Sequence, residues 1–203
     1  HPMLRIDICS GGGSRNELEA LRRAVPLWRS DYAYETTGMQ TLTYGMSFWI
    51  PYFGTGMNTS DAYTCRSQMA PANTLIWDVR NPELDYAACR KRLAERRQVI
   101  PCYEGDFYPL TAHRTENDVW MAWQFDRPES GGGVVQAFRR PNSSVTSMQL
   151  RLRGLEPRAR YRIQDVDRPE SSEMTGAALA GEGLLITLKQ RRSAALITYQ
   201  RIE

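Results

Sequence analysis

MLRIDICSGGGSRNELEALRRAVPLWRSDYAY, residues 3–34, is the stretch whose reading decides the fold. Leu4 to Cys9 has strand character and runs into Gly11, Gly12 and Gly13. From Asn16 to Ala24 the apolar residues Leu18, Leu21 and Ala24 recur at helical spacing between charged ones, so an amphipathic helix follows the turn. Leu27 to Asp31 reads as a second strand. A strand, glycine turn, helix and strand in so short a span describe a right-handed βαβ crossover between parallel strands. If the sheet closes into a barrel, chemistry belongs at the carboxyl ends of its strands, here Cys9 to Gly13 and Ser30 to Asp31.

The glycine turn lacks the Gly-Lys-Ser/Thr of a phosphate cradle and the Gly-x-Gly-x-x-Gly spacing of a dinucleotide site. A plain turn needs one or two glycines. Consecutive glycines after Cys9-Ser10 point to a backbone that approaches a ligand closely.

Working outward, Glu35 to Trp49 reads as a buried helix weakened by Gly38 and Gly45, and Ile50 to Gly56 as a third strand. Tyr63 to Ala70 is expected either across the barrel mouth or at its rim, and the sequence does not decide between them. Asn81 as cap and Pro82 in the first turn predict a helix to about Val99, with Leu84, Ala88, Cys89 and Leu93 on one side. Arg90, Lys91, Arg92, Arg96 and Arg97 on that helix are read as a solvated face. A turn-rich aromatic link, residues 101–110, follows.

Beyond Asp118 the pattern changes to short strands bounded by turn residues: 119–125, 134–139, 147–152, 160–166, 184–188 and 194–199. That many short strands imply a β-sandwich. The expected domains are therefore 1–117, α/β, and 118–203, all-β.

Composition sets outer limits. With 203 residues, 41% of them hydrophobic, the chain can bury one ordinary core or two small ones. Its net charge of +3 is spread over 26 basic and 23 acidic residues without a nucleic-acid motif, so no nucleic-acid partner is expected. No run of about twenty apolar residues is present to span a membrane as a helix. Cys9, Cys65, Cys89 and Cys102 show no paired C-x-x-C spacing, and the histidines are His1 and His113, which leaves no zinc framework. Whether a disulfide forms is left open by spacing alone. The start at His1-Pro2 leads us to expect a segment of a longer polypeptide.

Cys9-Ser10-Gly11-Gly12-Gly13 and Trp28-Arg29-Ser30-Asp31, in this order and at this separation, resemble the motifs on two successive barrel strands in the α-galactosidases of glycoside hydrolase family 36. The resemblance extends loosely over the whole chain and implies the carboxyl-terminal βα units of a (β/α)8 barrel followed by an antiparallel β-sandwich. It also implies retaining hydrolysis of terminal α-galactosides, with Asp31 as acid/base and with Cys9, Ser10, Gly11, Gly12 and Trp28 lining the sugar subsite. No cofactor or metal is implied. On residues alone, Asp31 also reads as a salt-bridged or capping acid, and Trp28 equally as core. Glu17 reads as a helix-dipole partner rather than a catalyst. Asp7 and Tyr52 rank below these as cleft residues.

Two departures from the family stand out. The nucleophile motif, a Lys-Trp-Asp-like segment on an earlier strand, has no counterpart before Leu4. Three predicted strands also fall short of eight, since a complete barrel takes roughly 250 residues. An isolated chain is therefore expected to be inactive and to associate with a missing amino-terminal barrel portion or with copies of itself. The reading from a different class is a non-catalytic carbohydrate- or protein-binding module. Within the enzymes, the alternative is an α-N-acetylgalactosaminidase.

Overall fold

The computed structural model describes residues 3–9, 11–32 and 34–202. It divides into two compact units, His1–Arg92 and Leu93–Glu203. The first runs β1 (Asp7–Cys9), α1 (Leu18–Leu21), β2 (Val25–Trp28), α2 (Thr36–Met46), β3 (Gly54–Met57), α3 (Ala62–Gln68) and β4 (Ala72–Leu75). Strand β1 pairs in parallel with β2, in the register Asp7 to Val25 and Cys9 to Trp28, as the opening stretch predicts. Strands β3 and β4 form a second parallel pair.

The Arg29 amide donates to the Gly54 carbonyl at 3.0 Å and ties the two pairs together. Gly54 lies against the backbone of Leu27 and Gly56 against the Trp28 ring, the order of parallel neighbours, and side chains at either glycine would collide. Beneath β3, Phe53 and Ile50 pack with Met46 and Ala70. Strand β4 is an element that the sequence pattern missed; its polar Asn73 and Thr74 and its short length hide it.

Three expected boundaries move. Helix α1 begins at Leu18, with the Glu17 carboxylate accepting from the amides of Glu19 and Ala20, because Asn16 is engaged elsewhere. Strand β2 ends at Trp28, which leaves Ser30 and Asp31 in the loop beyond it. The long helix α4 spans Tyr86–Val99. Asn81 takes the Glu83 amide in a turn, whereas Asp85 takes that of Ala88 at the true helix start. Arg90, Lys91 and Arg97 are solvated as expected, but Arg92 is buried.

The second unit carries a 3₁₀ turn at Ile100–Glu104 and then β5 (Asp106–Pro109), β6 (Trp120–Arg127), β7 (Gly132–Arg139), β8 (Ser147–Leu150), β9 (Arg160–Asp165), β10 (Ser171–Thr175), α5 (Gly176–Gly181), β11 (Leu184–Thr187) and β12 (Ser193–Arg201). A six-stranded antiparallel sheet has the order β10-β9-β12-β7-β6-β5, and β8 pairs with β11 in a separate two-stranded layer. One face of the large sheet, with Ala122, Val135, Ala137, Ala195 and Ile197, closes on Leu150, Leu184 and Ile186 of the small layer. The Val, Leu and Ile side chains among these contribute roughly 1.5–3 kcal/mol each on burial. The alternate residues Met121, Trp123, Phe125, Val134 and Phe138 are buried on the opposite face. There the Tyr103 hydroxyl and the Trp123 indole both donate to Gln136 Oε1, at 3.1 and 3.0 Å.

Along β6 the inner face turns from apolar Trp120 and Ala122 to polar Gln124 and Asp126. The Tyr199 hydroxyl donates to Asp126 Oδ1 at 2.5 Å, and Gln124 Nε2 donates to that same hydroxyl at 2.6 Å. Burial drives the Asp126 carboxyl above the ordinary carboxylate range, against the pull of the Tyr199 hydrogen bond. It drives the Tyr199 phenol upward as well, reinforced by Asp126.

Two predictions follow from this network. Tyr199→Phe strips the buried carboxylate of its donor and should lower unfolding stability by about 1.5–3 kcal/mol in denaturant titrations. Because the folded-state pKa of Asp126 is raised, the folded chain holds that proton longer than the unfolded one. Stability should therefore fall as pH rises from the unfolded carboxylate value of about 3.9 through the folded value, and Asp126→Asn should abolish that component in melts run across acid pH.

Candidate active site

Because Cys9 stands opposite Trp28 in the parallel register, the segments leaving β1 and β2 emerge side by side. The first is the glycine turn. Gly11, Gly12 and Gly13 have φ values of 51°, 72° and 96°, a left-handed run that side chains resist. The Ser14 hydroxyl donates to the Gly11 carbonyl and the Asn16 amide to the Gly13 carbonyl, which fixes the turn from within. Arg15 reaches back to the Cys9 carbonyl at 3.5 Å.

Asn16 then crosses to the second segment and donates from Nδ2 to the Arg29 carbonyl at 2.7 Å. Its role was hidden in the sequence, because an Asn just ahead of a helix reads as a cap. Arg29 itself is buried. Its guanidinium donates to Thr43 Oγ1 and the Met39 carbonyl and lies over the Phe53 ring, 5.1 Å from the centroid. This anchors the loop after β2 to helix α2. Ser30 Oγ takes the Tyr32 amide and turns the chain, with Asp31 between them.

Asp31 is exposed, and its Oδ1 accepts from the Trp28 indole at 3.1 Å. Its Oδ2 faces Gly12, where a side-chain carbon would lie 3.9 Å away. The Trp28 ring covers Gly56 of β3, so Trp28 both packs and holds the carboxylate. Gly56 is a further residue that sequence reasoning missed; any side chain there would push the indole away.

The structure thus brings Cys9, Gly11, Gly12, Trp28 and Asp31 into one neighbourhood at the carboxyl ends of parallel strands. Ser10 lies outside the described residues. Two lower-ranked residues are placed elsewhere. Asp7 accepts from the Leu27 amide within the strand pair, at 3.2 Å. Tyr52 lines a separate cleft with Val25, Pro26 and Trp49, at the start of β2 rather than its end. The four cysteines are free thiols, Cys9 exposed and Cys89 buried. Burial raises the Cys102 thiol to about 11. Among the described residues, no group of three or more His, Cys, Asp or Glu is placed to hold a metal ion, and no helix is long and apolar enough to cross a membrane.

A family sequence model described as the glycosyl hydrolase family 36 C-terminal domain matches residues 118–198. The chain is 26% identical over 178 residues to Alpha-galactosidase 1 of Pediococcus pentosaceus, which covers 79% of this chain and 24% of that protein. It is 25% identical over 200 residues to the bifunctional alpha-galactosidase/sucrose kinase AgaSK of Mediterraneibacter gnavus, covering 91% of this chain and 20% of the relative. The chain therefore spans about a quarter or less of the length of these relatives. Among solved structures, the galactosidase domain of AgaSK superposes over 100% of this chain and 29% of its own, with a TM-score of 0.77 at 21% identity. The α-galactosidase from Lactobacillus brevis does so over 96% and 28%, with a TM-score of 0.77 at 17% identity. These structural likenesses are of fold. Residues 118–198 are thus similar to the glycosyl hydrolase family 36 C-terminal domain, and most of the chain is similar to part of two alpha-galactosidases.

Proposed function

We propose that this chain supplies the acid/base and part of the sugar subsite of a retaining α-galactosidase. Its β1 to β4 would be the last strands of a (β/α)8 barrel, ending near residue 117, with the antiparallel unit after them. The observation that supports this best is the meeting of two sequence-distant motifs. The Asp31 carboxylate, held by the Trp28 indole, faces the left-handed glycine turn that follows β1. Turn amides are suited to sugar hydroxyls, and a solvent-reaching carboxyl beside them is suited to proton transfer at a glycosidic oxygen.

In this reading Asp31 protonates the leaving oxygen, and the sugar passes to a nucleophilic carboxylate. Asp31 then takes a proton from the water that releases it. Retention requires the two carboxyl groups about 5 to 5.5 Å apart. The second is assigned to the preceding barrel strands, together with the acids that bind the far hydroxyls. Those strands are also the partner that we assign to the outer edge of β1. Met3, Leu4 and Ile6 are exposed there, and a parallel edge left open in water is a liability. No metal or organic cofactor enters the scheme.

The test uses aryl α-galactosides of graded leaving-group acidity, on this chain alone and on its assembly with the preceding strands. The 203-residue chain alone should show no enzymatic turnover. In the assembly, Asp31→Asn should depress kcat/KM by about 10²–10⁴-fold for poor leaving groups and far less for nitrophenolate-like ones. Azide should restore turnover by displacing the enzyme carboxylate from the galactosyl-enzyme, giving an α-galactosyl azide with the anomeric configuration of the substrate. Equal losses for every leaving group, with no azide effect, would remove Asp31 from the acid/base role.

A further inference from the structure

A second polar recess lies in the antiparallel unit, built on the network around Asp126. It has a volume of about 210 Å³ and is lined by Asp126, Gly131, Gly154, Glu156, Tyr161 and Arg201, among others. Asp126 is 3% exposed, and only its Oδ1 is taken, by Tyr199. No donor among the described residues meets its Oδ2, which points at Gly154; a side-chain carbon on that glycine would lie 2.8 Å from it. Gly154 has φ 75° and leaves this oxygen open to the recess.

The walls are fixed in advance. Gln124 clasps the Arg153 backbone at both ends, accepting from its amide at 2.9 Å and donating to its carbonyl at 2.8 Å. The Tyr161 hydroxyl accepts from the Glu156 amide at 3.0 Å. On the opposite rim, the Arg201 amide donates to the Gly131 carbonyl at 2.7 Å. The Arg201 side chain lies where a side chain on Gly131 would stand. Among the described residues neither Arg201 nor Glu156 forms an ion pair.

The recess therefore offers acceptor-only carboxylates and a donor-only guanidinium that do not neutralise one another. An anion would meet Asp126 and Glu156, and a cation would meet Arg201. Hydroxyl groups, each both donor and acceptor, satisfy both kinds of wall without net charge. The volume is below the roughly 300–1,000 Å³ of pockets for drug-sized molecules. From this geometry we propose that the recess is a binding site for one neutral polyhydroxylated ring, a single saccharide residue. It is separate from the subsite at Asp31 and does not depend on Asp31 being catalytic.

The test is titration of the full chain with methyl α-D-galactopyranoside and methyl α-D-glucopyranoside, followed by amide chemical shifts. Saturable shifts at Gly131, Gly154 and Arg201 are expected with at least one probe. Asp126→Asn and the surface change Arg201→Gln should each weaken binding by about tenfold or more, the loss of one good hydrogen bond. Arg201→Gln decides the matter if Asp126→Asn fails to fold. Shifts confined to residues 9–13 and 28–31 would overturn this site while favouring the Asp31 subsite. Absent or non-saturating shifts, or binding unchanged in the variants, would overturn it outright.

Discussion

Parallel pairing of two very short strands, β1 and β2, is the constraint on which the candidate site depends. The pairing sets Cys9 opposite Trp28, so whatever follows each strand must emerge at the same end of the sheet. Parallel neighbours need a crossover, and α1 supplies it in little more than a turn. Such short strands do not hold a loop by themselves. Arg29, buried against Thr43, Met39 and Phe53, and Asn16, reaching from the glycine turn, fasten the second loop to the helix behind it and to the first loop beside it. The exposed carboxylate thus stands on a fixed base, as the proposed proton transfer requires.

The sequence was most informative where residue type admits few alternatives. The glycines at 11–13 demand unusual backbone, and they have it; the crossover around them was legible for the same reason. Short, largely apolar runs bounded by turn residues marked 194–199 and 134–139 as strands, and those strands form the middle of the large sheet. Boundaries were less legible. Asn81 and Asp85 are both plausible caps, and only the turn that Asn81 makes with Glu83 decides between them. Strand β4 and strand β10, rich in polar residues, carry no apolar alternation to betray them.

Within the site, the residues named by chemistry were easier to find than those named by position. Asp31, Trp28 and the glycine turn stand out because the two motifs that carry them resemble those of a known family; on residues alone Asp31 also reads as a capping acid and Trp28 as core. Asn16 and Gly56 do not stand out. Their importance comes from reaching across, or making room for, a residue distant in sequence, Asn16 toward Arg29 and Gly56 beneath Trp28. The same holds for Gln124 in the second unit, whose two bonds to the Arg153 backbone connect β6 with a loop that local pattern leaves unassigned.

The second unit carries its own polar logic. A carboxylate on an inner sheet face is costly unless a donor meets it, and the Tyr199 hydroxyl meets it from β12 while Gln124 donates to that hydroxyl. For the chain as a whole, the central claim is that Asp31 stands where a glycosidic oxygen is protonated. The most direct measurement is the position of an unhydrolysed α-galactoside bound to the assembled protein with its nucleophile neutralised. The account predicts an Asp31 oxygen within about 2.6–3.2 Å of the glycosidic oxygen, with the ring against the glycine turn. A sugar seated with that oxygen beyond the reach of Asp31, directly or through one water, would contradict it.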